Sequence, residues 1–158
     1  MNNSDKIRKA SIQDIKTIYD LLSFYGKKGE LLARPLTNLY DHVRDFFVFN
    51  NDQVSEPICG CCALQFCWED LAEIRSLAVY PQYHRMNIGT QLVEAAVEEA
   101  KRYEIKKLFT LTYKPQFFSK LGFVQIDRSE LPLKIWTDCV FCIKFPSCDE
   151  TAMMKHIK

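Results

Sequence analysis

"SLAVYPQYHRMNIGTQLVEAAVEEAK", residues 76–101, decides the fold. An apolar run stops at Tyr80-Pro81, a polar turn carries His84, Arg85, Asn87 and Gly89, and an amphipathic helix follows. A strand that runs through a basic turn into a helix N-terminus is suited to hold an anion. Unpaired backbone N–H groups face the ligand there, and the helix dipole favours negative charge. Asn87 tolerates a left-handed backbone and Gly89 adopts it freely. The main chain over 85–89 is therefore expected to cradle a phosphate, with His84 and Arg85 adding side-chain donors. The bland alternative is a plain strand-to-helix turn whose basic residues sit in solvent.

The flanking segments place this unit in a larger order. Residues 7–10 can form a first strand. Ser11 suits an N-cap with Asp14 three residues on, and Ile12, Ile15, Ile18, Tyr19 and Leu22 recur at helical spacing until a break near Gly26. A short second helix is expected from Thr37, with Thr37 as its cap. "FFVFNNDQ", "PICGCCALQF" and "AEIRSLAVY" read as three strands, the middle one apolar on both faces and hence central. The helix over 89–103 buries Leu92, Val93, Ala96, Val97 and Ala100. "KKLFTLTY" is a buried strand, Pro115 opens a short helix that Gly122 closes, "FVQID" is a strand, and "CVFCIKF" is a candidate last strand. The order βααβββαβαβ predicts one α/β (α+β) domain over residues 1–158, with a cysteine-containing C-terminal tail from about residue 131.

With 158 residues and a net charge of +1, the chain lacks the broad basic field of a nucleic-acid binder. No apolar run is long enough to span a bilayer, and "MNNSDKIRKA" lacks the apolar core of a signal peptide. A cytoplasmic protein, bound to neither nucleic acid nor membrane, is the expectation. The seven cysteines then read as reduced thiols or metal ligands. Strand alternation assigns Cys59 and Cys61 to one face and Cys62 to the other. Cys139, Cys142 and Cys148 resemble half of a structural zinc site, with His156 a possible fourth ligand; buried thiols are the alternative.

"EIRSLAVYPQYHRMNIGTQLVEAAVEEAK" and "FFSKLGFVQ" resemble the strand, pyrophosphate loop, helix and following helix–strand of the GNAT superfamily of acetyl-CoA-dependent N-acetyltransferases. "GELLARPL", "AEIRSLAV", "LFTLTY" and "LPLKIWTDCVFCIKFPSCDETAM" are similar, in order, to the short stand-alone relatives of N-acetylglutamate synthase. In the loop, His84 and Asn87 stand where the superfamily usually has Arg or Gln and Gly.

The resemblance implies a mixed, splayed sheet flanked by helices, opening after 72–79 to admit acetyl-CoA. It implies coenzyme contacts at Leu77, Ala78, Val79, His84, Arg85, Met86, Asn87, Ile88, Gly89, Thr90 and Phe118. Glu73 matches a water-linked general base. Phe118 stands where many relatives have a proton-donating Tyr, so Tyr113 is a candidate donor to the leaving thiolate. The implied acceptor is an amino acid, glutamate foremost. Arg34, Arg75 and Lys114 are the cations that would meet its carboxylates; otherwise they are solvated surface charges. Strand alternation would set Arg75 on one face with Glu73, Leu77 and Val79. Another acceptor amine (a polyamine, an aminoglycoside or a protein N-terminus) and a non-catalytic acyl-CoA-binding module are the alternatives. Homodimers are common in the superfamily.

Overall fold

The computed structural model describes residues 6–31, 34–51, 58–131 and 150–158. The order is β1 (Ile7–Lys9), α1 (Ile15–Lys27), α2 (Leu36–Asp41), β2 (Phe46–Asn50), β3 (Ile58–Trp68), β4 (Leu71–Val79), α3 (Ile88–Arg102), β5 (Lys107–Thr112), α4 (Pro115–Lys120), β6 (Val124–Gln125) and β7 (Thr151–His156). The strands form one sheet, β1-β2-β3-β4-β5-β7-β6. Among the described strands β4 and β5 are the one parallel pair. Their crossover is α3, as a parallel connection demands.

Each face of the sheet is covered. Leu92, Val93, Ala96 and Ala100 of α3 pack against Cys59, Cys62, Leu64, Ala72 and Ile74. On the other face, Ile15, Ile18, Leu21, Leu22 and Tyr25 of α1 cover Val48, Cys61, Ala63 and Ala78. Burying such aliphatic side chains stabilises by roughly 1.5–3 kcal/mol each. No described helix is long and apolar enough to cross a membrane.

Local chemistry explains the boundaries. The chain enters α1 through a 3-10 turn, Ile12–Asp14, which takes Ile12 out of the helical stripe; Ile12 and Tyr19 are exposed, while Leu21 and Tyr25 join the buried face. Asp14 accepts from the Ser11 N–H and hydroxyl, and Arg8 grips it with two bonds of 2.7 and 3.0 Å. Burial alone would raise the Asp14 pKa, but the Arg8 and Ser11 bonds together outweigh it and hold it below the usual value. A depressed folded-state pKa contributes stability above the unfolded value, lost as pH falls through the folded one. Asp14→Asn should therefore destabilise by about 1–3 kcal/mol near neutral pH. The gap from the wild type in thermal melts should shrink as the solution is acidified.

α2 begins one residue before the expected cap. Pro35, extended at φ −60° and ψ 150°, holds the N-cap position, and its carbonyl accepts from Leu39 N–H. Gly122 does close α4. At φ 91° its N–H reaches Ser119 O, and Phe123 N–H reaches Phe118 O, which is a Schellman turn.

Three readings need correction. The expected C-terminal tail returns to the sheet: β7 lies between β5 and β6, with Thr112↔Thr151 through Lys107↔His156 paired along β5. "TAMMKH" has one β-branched residue, so its strand propensity is weak and pairing supplies the order. The cysteine alternation fails because the β2–β3 register shifts: Phe49 faces Gly60 and Asn50 faces Ile58, leaving Cys59 as an extra residue. Cys59 and Cys62 consequently share a face, and Cys61 takes the other. Finally, the sheet opens within β4 rather than after it. β4 and β5 pair only from Leu71↔Lys107 to Glu73↔Phe109. The candidate strand "CVFCIKF", with Cys139, Cys142 and Cys148, lies outside the described residues. Among those described, no cluster of His, Cys, Asp or Glu could hold a metal, and Cys59, Cys61, Cys62 and Cys67 are all buried.

Candidate active site

Where β4 and β5 part, a cleft of about 540 Å³ opens. Leu77, Ala78 and Val79 form one wall, and Thr112, Tyr113, Lys114 and Phe118 the other. Beyond Glu73 no described strand pairs with the β5-facing edge of β4, so its main chain can pair with an extended, amide-bearing ligand as a missing strand would. The Thr110 hydroxyl donates to Ile74 O at 2.9 Å and satisfies the first carbonyl past the split.

A bulge shapes the β4 wall. Cys61 faces Ala78 and Ala63 faces Arg75, so Cys62 alone stands opposite two residues, Ser76 and Leu77. Ser76 takes a left-handed φ of 56°. This extra residue reverses the alternation. Ala72 and Ile74, then Leu77 and Val79, pack on the α3 side, while Ala78 packs on the α1 side. The expected common face of Glu73, Arg75, Leu77 and Val79 is thus broken: Glu73 and Arg75 precede the bulge and alternate with Ala72 and Ile74, opposite to Leu77 and Val79.

The loop closes the far end. Arg85 and Asn87 have positive φ, 72° and 59°, and Asn87 is the left-handed N-cap of α3. Two left-handed residues flanking Met86 turn the local amides toward a concave nest at the N-terminus of a 15-residue helix. Arg85, Asn87, Ile88, Gly89 and Thr90 line the cleft, whereas Met86 is half exposed. Gly89 does not use its freedom of φ as expected; the described glycines with positive φ are Gly29 and Gly122. Its value is space, because a Cβ there would sit 3.3 Å from the Phe117 ring. Asn87→Gly should hold or raise the melting temperature. Asn87→Val should cost about 1–2 kcal/mol, because a β-branched residue resists the left-handed region.

His84 also lines the cleft, and its ring has partners within the protein. Its Nε2 lies 2.9 Å from Val79 O and 3.1 Å from the Tyr25 hydroxyl, which itself donates to Val79 O. Sequence reading missed Tyr25, which lies one turn beyond Leu22, the last residue placed in the helical stripe. Burial, with the Glu30 charge adding to it, raises its pKa and keeps it a donor.

Behind the bulge stands a charged group. Arg34 is 6% exposed. Its Nε donates to Asn38 Oδ1 at 2.8 Å, its NH1 donates to Ser76 Oγ at 3.1 Å, and its guanidinium lies over the Phe46 ring. Burial, and then the Arg75 charge, bring its pKa down to about 10, against the opposing pull of Asp45, Cys61 and Glu73. Arg75 lines the cleft and donates to Gln65 Oε1 at 2.8 Å. Glu73 is buried two residues before Arg75 and, like Arg34, stands behind the cleft wall. Lys114, at the N-cap of α4, and Tyr113 lie across the cleft from this group.

The comparisons with known proteins agree with this geometry. Residues 42–125 match the model of the acetyltransferase (GNAT) domain. An N-acetyltransferase of Chlorobaculum tepidum is 38% identical over 151 residues, 96% of either chain. An amino-acid acetyltransferase of Mycobacterium tuberculosis is 30% identical over 132 residues, 84% of this chain and 75% of that one. The chain spans only 30% of the amino-acid acetyltransferase of Aeromonas salmonicida, to which it is 34% identical. Among solved structures, N-acetylglutamate synthase from Neisseria gonorrhoeae, complexed with coenzyme A and N-acetyl-glutamate, superposes with a TM-score of 0.86 at 27% identity, over 96% of this chain and 35% of that one. A Mycobacterium tuberculosis protein in complex with CoA gives 0.83 at 25% identity, over 96% and 99%. A sheet split within β4, a left-handed basic loop leading into α3 and a matching domain model carry one conclusion: this chain belongs to the GNAT family and is an acetyltransferase.

Proposed function

We propose that the chain transfers the acetyl group of acetyl-CoA directly to the α-amine of glutamate or a closely related amino acid. The observation that carries this reading is the pairing of Arg34 and Arg75 behind and at the wall of the cleft, beside Glu73 as a nearby carboxylate. Two guanidiniums close enough for the Arg75 charge to lower the Arg34 pKa favour an anionic guest, and a polyamine or aminoglycoside would meet repulsion. The amino-acid acetyltransferase relatives support the same acceptor class.

The cleft fits acetyl-CoA. The loop main chain over 85–89 and the α3 N-terminus suit the pyrophosphate, the open β4 edge suits the pantetheine amides, and Phe117 and Phe118 supply an apolar wall. In the reaction the neutral amine attacks the thioester carbonyl, the C–N bond forms, and the C–S bond breaks. Glu73 takes the amine's proton through a water, and Tyr113 returns a proton to the thiolate. Main-chain N–H groups beside the bulge offer the developing oxyanion a fixed donor.

A thiol-release assay with acetyl-CoA against free amino acids and polyamines tests this. Release with glutamate or a neighbouring acidic amino acid, and little with polyamines, is expected. Release with polyamines alone would overturn the acceptor class. CoA binding without release on any amine would favour a non-catalytic binding module.

A further inference from the structure

We propose that Tyr25 and His84 are positioning residues that preorganise the coenzyme loop by gripping one atom, the Val79 carbonyl oxygen. The proposal rests on reading the cleft as an acetyl-CoA site.

Val79 is the last residue of β4. Its carbonyl oxygen has two lone pairs and can only accept. Tyr25 O–H fills one from α1, and His84 Nε2 lies 2.9 Å away. His84 must therefore carry its proton on Nε2 to make that bond. Three separate pieces of chain meet at this point: α1, the end of β4 and the loop. The His84 bond also closes a ring over residues 79–84, inside which Tyr83 N–H reaches Tyr80 O and His84 N–H reaches Pro81 O. The next residue, Arg85, is one of the two strained left-handed positions.

A non-glycine residue in that region costs about 1–3 kcal/mol and persists only where its surroundings hold it. His84 is the anchor on the N-terminal side and Asn87, opening α3, the anchor on the other. With the exposed imidazole's Nε2 engaged by the Val79 carbonyl, the loop offers the coenzyme its main-chain amides and Arg85, and His84 acts through Val79. Tyr25 adds a consequence: α1 also packs the face on which Ala78 lies, so the helix is tied to the end of β4 by packing as well as by the Tyr25 bond.

Calorimetric titration with CoA tests this, since it does not depend on finding the acceptor. Tyr25→Phe keeps the ring and removes one bond, and CoA should bind about five-fold more weakly. His84→Leu should do the same. His84→Gln, whose side-chain amide nitrogen can occupy the Nε2 position, should restore most of the affinity. In the Tyr25→Phe background, adding His84→Leu should cost less than about two-fold more, because the two share one task.

Wild-type affinity in Tyr25→Phe combined with loss in His84→Leu would make His84 a direct phosphate ligand and overturn the proposal. Tighter binding in either variant would do so as well, because it would mean that the bonds compete with the coenzyme. No binding of CoA by the wild type would sink the coenzyme reading and this proposal together, whereas unchanged binding in the variants sinks the proposal alone.

Discussion

Arg34→Ala should lower kcat/KM for an acidic acceptor by about a hundredfold, most of it in KM. The figure follows from losing one to two charge-assisted hydrogen bonds worth about 1.5–3 kcal/mol each. Arg34 is buried, and its two protein bonds, to Asn38 and Ser76, use two of its five N–H donors among the described residues. The Ser76 bond holds the left-handed residue that creates the bulge, while the positive charge lies just behind the cleft wall. Removing it should therefore weaken recognition of a carboxylate and loosen the bulge together. Arg34→Met, which keeps much of the volume, isolates the electrostatic part. Arg34→Lys should rescue poorly, because one ammonium cannot serve Asn38 and Ser76 in a planar fork. The measurement is steady-state kinetics with an acidic amino acid and with its neutral amide, alongside melting curves. An equal loss on both acceptors would show that Arg34 supports the bulge without reading the acceptor's charge.

Why Arg34 stands out in the sequence while its partner does not is a matter of signal. "LLARPL" puts an arginine just before a proline-opened helix, and the chain order then places that loop beside the sheet. The β4–loop–α3 unit is legible for a similar reason: within one stretch the apolar period changes from two to 3.6, with turn residues at the change. Ser76 has no such mark. A serine at φ 56° is dictated by register with β3, a property of two strands at once, and it reverses every later side chain on β4. The extra residue at Cys59 deceives the alternation in the same way. β7 escapes because Ala-Met-Met is as compatible with a helix or coil as with a strand; its place between β5 and β6 comes from pairing partners about forty residues away. Periodicity thus finds elements and their faces until a bulge intervenes. The site is built at a bulge, so its position is readable and the side-chain directions within it are not.

Glu73→Gln should lower kcat by about 10²–10⁴-fold if the carboxylate removes the proton of the attacking amine. The residue occupies the last β4–β5 pair, Glu73↔Phe109, at the apex of the split, where a water held between the strands could link it to the cleft. Its charge also reaches Arg34. These two roles predict opposite results. As a base, Glu73 matters most when the amine arrives protonated, so the deficit of Glu73→Gln should shrink as pH rises toward the amine's own pKa. It should shrink also for an acceptor whose amine is less basic. As a counter-charge to the arginines, its neutralisation leaves the cleft more positive: kcat stays near the wild type, and KM for an acidic acceptor falls. A pH profile of kcat for both enzymes separates the two. Parallel profiles, with any change confined to KM, would remove Glu73 from proton transfer and leave the amine to lose its proton to solvent.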